Sequence, residues 1–217
     1  MRKLLVLGLG LAIALMPAIG SAGPKPKAAK TQLTEQDIRS CMGVNGAKAG
    51  DQIKACTKII NSGNVKPEYL GDYYATRGAA YLASKQPDKA LADLDKALSF
   101  RKAPEFYIQR GLIQLTRRKF DLAKADLAEA IKLKPQFAPA YLMRGLASYQ
   151  AGEYKEALGF FDEALKRVPT YYQALYARGV AKKRTGDESG GDKDMKDARD
   201  MRPTIDEEMK KLGVAPT

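Results

Sequence analysis

The sequence predicts an all-α protein built from helix-turn-helix units that stack in a row. Apolar residues recur at helical spacing on both sides of a break in each period, so each unit holds two helices. An Arg-Gly pair marks four units, with glycines 33, 34 and 34 residues apart, at Arg77-Gly78, Arg110-Gly111, Arg144-Gly145 and Arg178-Gly179. A small residue follows each glycine by twelve positions, at Ala90, Ala123, Ala157 and Gly191.

The period and its key residues resemble the tetratricopeptide repeat (TPR) family over residues 71–203. In the third unit the family pattern is Tyr141, Gly145, Ala157, Phe161 and Pro169. The resemblance implies a right-handed α-solenoid of four TPR units. It also implies that the first helices of successive units line a concave groove, along which peptide ligands lie.

The four Arg-Gly glycines need a packing reason, because glycine inside a helix costs about 1 kcal/mol relative to alanine. The simplest reason is that each glycine, with the small residue twelve positions later, lets the two helices of a unit approach closely. We therefore expect Gly145→Ala to strain the fold.

Residues 1–22 are predicted to be an export signal. Arg2 and Lys3 precede an apolar run over residues 4–19, and the small residues Gly20 and Ala22 suit cleavage after Ala22. The alternative is an uncleaved membrane anchor, but a run of 16 residues is short for a span of about 20. We expect a periplasmic or secreted protein.

The chain is strongly basic. Without residues 1–22 it would have 195 residues, 35 basic and 25 acidic side chains, and a net charge of +10. This charge favours acidic partners or anionic surfaces and says nothing about fold. Residues 23–32 contain two prolines and three lysines and are predicted to be a flexible basic linker. The alternative, a tether to anionic lipid, usually needs more charges.

Residues 33–70 are predicted to form a helical hairpin that caps the N-terminal end of the stack. Thr34 followed by Asp37 is a helix-start signal. The only two cysteines, Cys41 and Cys56, fall one in each helix, and in an oxidising compartment such a pair predicts a disulfide. The alternatives are two buried thiols or a redox-active pair, and the latter lacks Cys-x-x-Cys spacing.

Residues 204–217 are predicted to form a C-terminal capping helix and tail. Thr204 and Glu207 have the spacing of a capping box, and Ile205, Met209 and Leu212 make a one-sided apolar stripe. We expect this helix to cover the exposed core of the last unit, as the terminal caps of solenoids must.

The sequence carries little that could support catalysis. It has no histidine, which removes the commonest general base and the commonest zinc ligand. Acid pairs such as Asp93 with Asp95 lie on predicted second helices and are expected to be solvated, and Gly190-Gly191 lacks the lysine of a phosphate loop. We predict a non-enzymatic protein with no catalytic residues, no metal site and no cofactor.

The predicted function is that of a scaffold or adaptor whose groove binds a partner segment. From the resemblance, Leu115 and Val180 also face the groove, and the residues predicted to bind the partner are Ile108, Leu112, Leu142, Leu146, Tyr149, Tyr176, Lys183 and Arg184. This lining is mostly apolar, so the expected partner is an apolar or amphipathic protein segment with some acidic character. The alternative for these apolar side chains is packing between neighbouring units.

A second function class is binding of an anionic envelope polymer or lipid surface through the basic charge. Two basic clusters close first helices, Arg117-Arg118-Lys119 and Lys182-Lys183-Arg184. The simpler explanation is that positive charge at a helix C-terminus complements the helix dipole. A membrane surface is therefore a weak candidate, and nucleic acid is not expected, because no basic motif interleaved with aromatic residues is present.

The marker arginines are predicted to form ion pairs with acids sixteen residues later on second helices, at Arg77–Asp93, Arg110–Asp126 and Arg178–Asp194. Phe160 replaces the acid in the third unit, so Arg144 would lack its partner there and be freer to meet a ligand.

Overall fold

A computed structural model describes residues 32–44 and 46–215. The predicted export signal and nearly all of the predicted linker lie outside these residues. Within them the chain forms eleven helices and no strand, which confirms the all-α solenoid. None of these helices has the length and apolar character needed to cross a membrane.

Two helices form the N-terminal hairpin, α1 (Glu35–Cys41) and α2 (Ala49–Asn61). Eight helices form the four units in pairs, α3 (Pro67–Ala83) with α4 (Pro87–Phe100), α5 (Pro104–Thr116) with α6 (Phe120–Leu133), α7 (Ala138–Gln150) with α8 (Tyr154–Arg167), and α9 (Tyr172–Arg184) with α10 (Glu188–Met201). The last helix is α11 (Ile205–Lys211). Helix α3 begins four residues before the predicted unit boundary at residue 71, because Pro67 starts a helix readily at its first turn.

The turn inside each unit uses one residue in the left-handed region. Gly152 and Gly186 have φ of 83° and 94°, and Lys85 and Arg118 take the same position with φ of 57°. A left-handed residue at the end of a helix redirects the chain, while its N–H and the N–H of the following residue bond carbonyls of the last helical turn. The same turn therefore recurs in every unit.

The predicted close approach of the two helices is confirmed in three units. A Cβ atom placed on Gly179 would lie 2.7 Å from the carbonyl oxygen of Gly191, and one on Gly78 would lie 3.3 Å from that of Ala90. The third unit differs, because a Cβ on Gly145 would meet the ring of Phe161.

The N-terminal hairpin has its own small core. Cys41, Cys56 and Ile59 are fully buried, and the predicted Cys41–Cys56 disulfide is present. Thr34 caps α1 as predicted, with Asp37 bonding back to the backbone N–H of Thr34. A second core lies between the first and second units, around Leu94 and Phe106, and the second to fourth units share a third core with the C-terminal segment.

The start of α11 differs from the prediction. Thr204 makes no capping bond to the helix backbone, and its hydroxyl donates instead to the carboxylate of Glu208 at 2.8 Å. The prediction of a Thr204–Glu207 capping box is therefore wrong. The apolar stripe is present, since Ile205 and Met209 are fully buried and Leu212 is half-buried.

Candidate functional site

The first helices of the units form the inner face of the stack. Helices α3, α5, α7 and α9 contact one another in succession, whereas no contact joins α4, α6, α8 and α10 to each other. A row of hairpins whose first helices touch and whose second helices are spread apart curves around the first helices. The groove predicted on these helices is therefore the concave face.

The chain's own C-terminal segment lies against this groove. The hydroxyl of Tyr176 on α9 donates to Asp206 Oδ1 at 2.7 Å, and the amide of Gln150 on α7 donates to the carbonyl of Leu212 at 2.6 Å. Residues 211–213 also line a cavity together with Leu112 and Leu115 of α5. The segment therefore crosses from the fourth unit back to the second. We call residues 204–214 the C-terminal strap.

The four central residues of the predicted site are brought together and are buried. Leu142, Leu146, Tyr149 and Tyr176 are each at most 6% exposed. They share one apolar cluster with three buried strap residues, Ile205, Met209 and Val214. In this conformation these side chains are buried in the cluster that also contains the strap residues, so their contact with a partner stays a prediction.

The two residues predicted on α5 are more accessible. Ile108 and Leu112 are half-buried, and Leu112 faces the cavity that contains the end of the strap. The part of the groove beside α5 is consequently the part that the strap leaves most open.

The two predicted basic residues do not lie at the centre of the groove. The ammonium group of Lys183 bonds Asp192 at 2.7 Å and Glu188 at 3.1 Å, and these contacts with α10 raise its pKa. Arg184 lies near the Tyr154 ring, and a hydrogen bond with Tyr149 raises its pKa. Lys183 thus contacts the outer helix of its own unit, while Arg184 lies beside the groove's Tyr149.

Three residues of the site were missed by the sequence reasoning: Gln150, Asp206 and Val214. Asp206 also accepts two hydrogen bonds from Arg199, both at 2.8 Å. The bonds from Arg199, with the weaker one from Tyr176, lower the pKa of Asp206 to about 2. Only Val214 had a sequence signal, because a glycine followed by an apolar residue is typical of a helix end that packs back on itself.

The helix end shows that pattern. Gly213 has φ of 75°, its N–H bonds the carbonyl of Lys210, and the N–H of Val214 bonds the carbonyl of Met209. This double closure ends α11 and turns the fully buried Val214 toward the core. The left-handed glycine therefore helps to place the last residues of the strap.

The predicted ion-pair ladder is confirmed in three units. Each arginine donates two hydrogen bonds to the acid sixteen residues later, over 2.6–2.9 Å, in the pairs Arg77–Asp93, Arg110–Asp126 and Arg178–Asp194. Each also donates a third bond to the preceding second helix, at Thr57, Asp95 and Asp162 respectively. The acids raise the pKa of Arg110 and Arg178.

Arg144 is the exception. Phe160 stands where its own unit should supply the acid, and Ala128 stands where Asp95 and Asp162 stand in neighbouring units. Its guanidinium carbon lies 4.4 Å from the centre of the Phe160 ring, and its Nε is buried without an acceptor among the described residues. A cation–π contact thus replaces the carboxylate pair.

The basic clusters are largely paired with acids or aromatic rings. Arg117 bonds Asp88 at 2.7 Å, and Lys182 bonds Asp194 at 2.9 Å. Arg118 lies over the ring of Phe120. Together with the contacts of Lys183, this pairing reduces the positive charge that these clusters present to solvent.

Comparison with known proteins gives one family and one fold. Models of the tetratricopeptide repeat match residues 71–103 and 108–179. No curated protein matches the chain. Among solved structures, MamA is 21% identical with a TM-score of 0.65, and the alignment covers 83% of this chain and 99% of MamA.

Two further structures give the same result. MamA from Desulfovibrio magneticus RS-1, from residue 41 to its end, is 15% identical with a TM-score of 0.67, covering 80% of this chain and 98% of that one. YrrB, described as a TPR protein with an unusual peptide-binding site, is 18% identical with a TM-score of 0.60, covering 79% and 88%. At these identities the likeness establishes the fold.

Proposed function

This chain belongs to the tetratricopeptide repeat family, and we propose that it is a non-enzymatic protein-interaction scaffold that binds a segment of a partner protein in its concave groove. One observation carries the proposal: the groove already holds a short amphipathic helix, supplied by the strap. A face that buries Ile205 and Met209 of the strap has the shape and apolar character that a partner helix needs. The peptide-binding site of YrrB, a protein of the same fold, adds support by analogy.

We place this function in the periplasm. The pattern of residues 1–22 supports export, and the Cys41–Cys56 disulfide suits an oxidising compartment. The expected partner is therefore an envelope protein with an exposed amphipathic segment.

The alternative function, binding of an anionic polymer or lipid headgroups, has less support. The net charge favours it, but the two basic clusters have acidic and aromatic partners within the fold. Salt dependence separates the two functions, since binding to a polyanion weakens steeply between 50 and 200 mM salt.

The experiment is an affinity capture from envelope extract with residues 23–217 as bait, washed at 50 and at 500 mM salt. The test variant is Leu112→Glu, which places a charge beside the open part of the groove. The control is Leu122→Glu, an identical change on the outer helix of the same unit, where the leucine is 54% exposed.

The proposal predicts a protein that survives the high-salt wash, is lost with Leu112→Glu and is retained with Leu122→Glu. Material that binds all three baits and washes off with salt would instead identify the basic surface as the binding site. The groove would then have no role in capture.

A further inference from the structure

We propose that the C-terminal strap is a built-in competitor for the groove, and that the partner segment is a short amphipathic helix with the strap's own chemistry. That chemistry is two apolar residues one turn apart with a carboxylate directly after the first, as in Ile205, Asp206 and Met209. The inference rests on the proposed function, because it describes what the same groove selects and how access to it is controlled.

The position of α11 departs from the geometry of the stack. Every other first helix packs more on the second helix of the preceding unit than on its first helix, but α11 packs more on α9 than on α10. Its C-terminal end reaches Gln150 two first helices away. A simple terminal cap would cover the end of the stack, whereas this segment crosses the inner face.

The apolar contacts of the strap are those of a bound ligand helix. Ile205 and Met209 are four residues apart and so lie on one side of α11, and both are fully buried. Val214, turned inward by the left-handed Gly213, is a third fully buried contact. This spacing of anchors is that of an amphipathic helix in a groove.

The polar contacts fix the position of that helix. Asp206 accepts hydrogen bonds from the Tyr176 hydroxyl and from two N–H groups of Arg199. Charge-assisted bonds such as those from Arg199 are stronger than neutral ones. A partner helix would need a carboxylate in the same place, or the buried hydroxyl of Tyr176 would lose its acceptor. Tyr176 and Arg199 thus select for an acidic residue beside the first apolar anchor.

The strap is built so that it can leave without unfolding a unit. Helix α11 has seven residues, and isolated helices shorter than about 12–15 residues are marginal in water. It follows an exposed connector, Arg202, Pro203 and Thr204. Release would expose the apolar cluster of α7 and α9, so in the free protein the open state is a minor population that another helix can bind.

The test uses the chain from residue 23 to 217 and a fluorescent peptide with the sequence of residues 203–217 as the competitor in trans. The opening variant is Asp206→Asn, which removes the carboxylate from the strap and leaves the groove residues unchanged. The control is Glu207→Gln, the same loss of charge at the next position, where the side chain is exposed. Binding is measured by fluorescence anisotropy.

We expect the peptide to bind Asp206→Asn roughly tenfold more tightly than wild type, since weakening the internal competitor raises the fraction of open groove. Glu207→Gln should bind as wild type does. Met209→Ala, which shortens a fully buried side chain of the strap and leaves the groove residues unchanged, should also tighten binding, and it guards against a folding defect specific to Asp206→Asn.

Equal peptide affinity for wild type, Asp206→Asn and Met209→Ala would overturn the inference. So would exchange of straps between copies, seen as a dimer of Asp206→Asn, because the occupant would then be a second copy. If the peptide binds as expected but the capture experiment yields no protein, the proposed function fails while the competitor role of the strap stands. A captured protein that the peptide does not displace would support the proposed function and overturn the competitor role of the strap.

Discussion

Arginines that are equivalent by sequence have unequal roles in this fold. Removing Arg110 would leave Asp126, 7% exposed, without its partner, and breaking a buried pair in this way costs about 3–5 kcal/mol. Removing Arg144 loses only its contact with Phe160, worth about 0.5–2 kcal/mol. We therefore expect Arg110→Ala to lower the free energy of unfolding more than Arg144→Ala, as measured by urea denaturation.

Equal losses for the two arginine variants would contradict this account, and would mean that Arg144 has a carboxylate partner in solution. A third variant gives an independent control. Ala128→Asp restores the acid found at Asp95 and Asp162, so it should stabilise the wild type and have no such effect in Arg144→Ala.

Two glycines of the third unit should respond oppositely to alanine. At Gly145 a Cβ would meet the ring of the fully buried Phe161, so we expect Gly145→Ala to destabilise the fold by about 1–3 kcal/mol. At Gly159, on α8, a Cβ would have no neighbour within 4 Å, so Gly159→Ala should stabilise the fold by about 0.5–1 kcal/mol. Thermal unfolding of both variants measures the difference, and a stabilising Gly145→Ala would be the contrary result.

Contacts within a unit could be predicted from the sequence, and contacts between units could not. The spacing of sixteen residues from Arg110 to Asp126 recurs in other units, so both the ladder and its exception at Phe160 were visible. The further bonds to Asp95 and Asp162 depend on how far one unit is rotated against the next. No local pattern in the sequence specifies that rotation.

The contact of the strap with the groove through Asp206 should depend on pH. The pKa of Asp206 is lowered to about 2 in the folded chain, mainly by its bonds to Arg199, against about 3.9 in an unfolded chain. A group whose pKa is lowered by folding adds stability above its unfolded pKa and loses it as the pH falls through the folded value. The contact should therefore be complete above pH 5 and weaken between pH 4 and 2.

The measurement is the carboxyl ¹³C chemical shift of Asp206 followed from pH 6 to 1.5. We expect a midpoint near 2, and a midpoint near 4 would show that the carboxylate is solvated and that the strap is not in the groove. Asp206→Asn has no carboxyl group at this position and is the control that assigns the signal.

The sequence predicted that α11 is a helix, but it did not predict where α11 packs. Ile205 and Met209 already marked an amphipathic helix, and a terminal cap is what a solenoid requires. Its path into the groove depends on Gln150 and Tyr176, which lie 62 and 30 residues from their strap partners. Because such long-range contacts are not visible in the sequence, Tyr149 and Tyr176 were predicted to be exposed anchors for a partner, although both are buried.

In the molecule as a whole, the N-terminal hairpin and the repeat units have separate cores, so we expect the hairpin to unfold independently of the units. The hairpin core around Cys41 and Cys56 is distinct from the cores of the units, and repeat proteins unfold approximately as a sum of neighbouring parts. A disulfide that closes a loop of 15 residues contributes about 3 kcal/mol in the chain-entropy estimate.

We expect the Cys41→Ala/Cys56→Ala variant to unfold α1 and α2 under conditions in which α5 to α10 stay folded. Hydrogen exchange resolved by helix measures this, with protection lost in the hairpin and retained in the later units. Uniform loss of protection along the chain would show that the hairpin and the units fold as one cooperative block.

Two methionines at the C-terminal end test directly whether the strap occupies the groove. Met209 is fully buried in the seated strap, whereas Met201, at the end of α10, is 49% exposed. The measurement is the broadening of their ¹³C-labelled ε-methyl signals by a soluble paramagnetic agent. A strap seated in the groove predicts strong broadening of Met201 and protection of Met209, with the protection lost when a partner helix displaces the strap. Equal broadening of the two methyls in the free protein would contradict it, because the groove would then be empty.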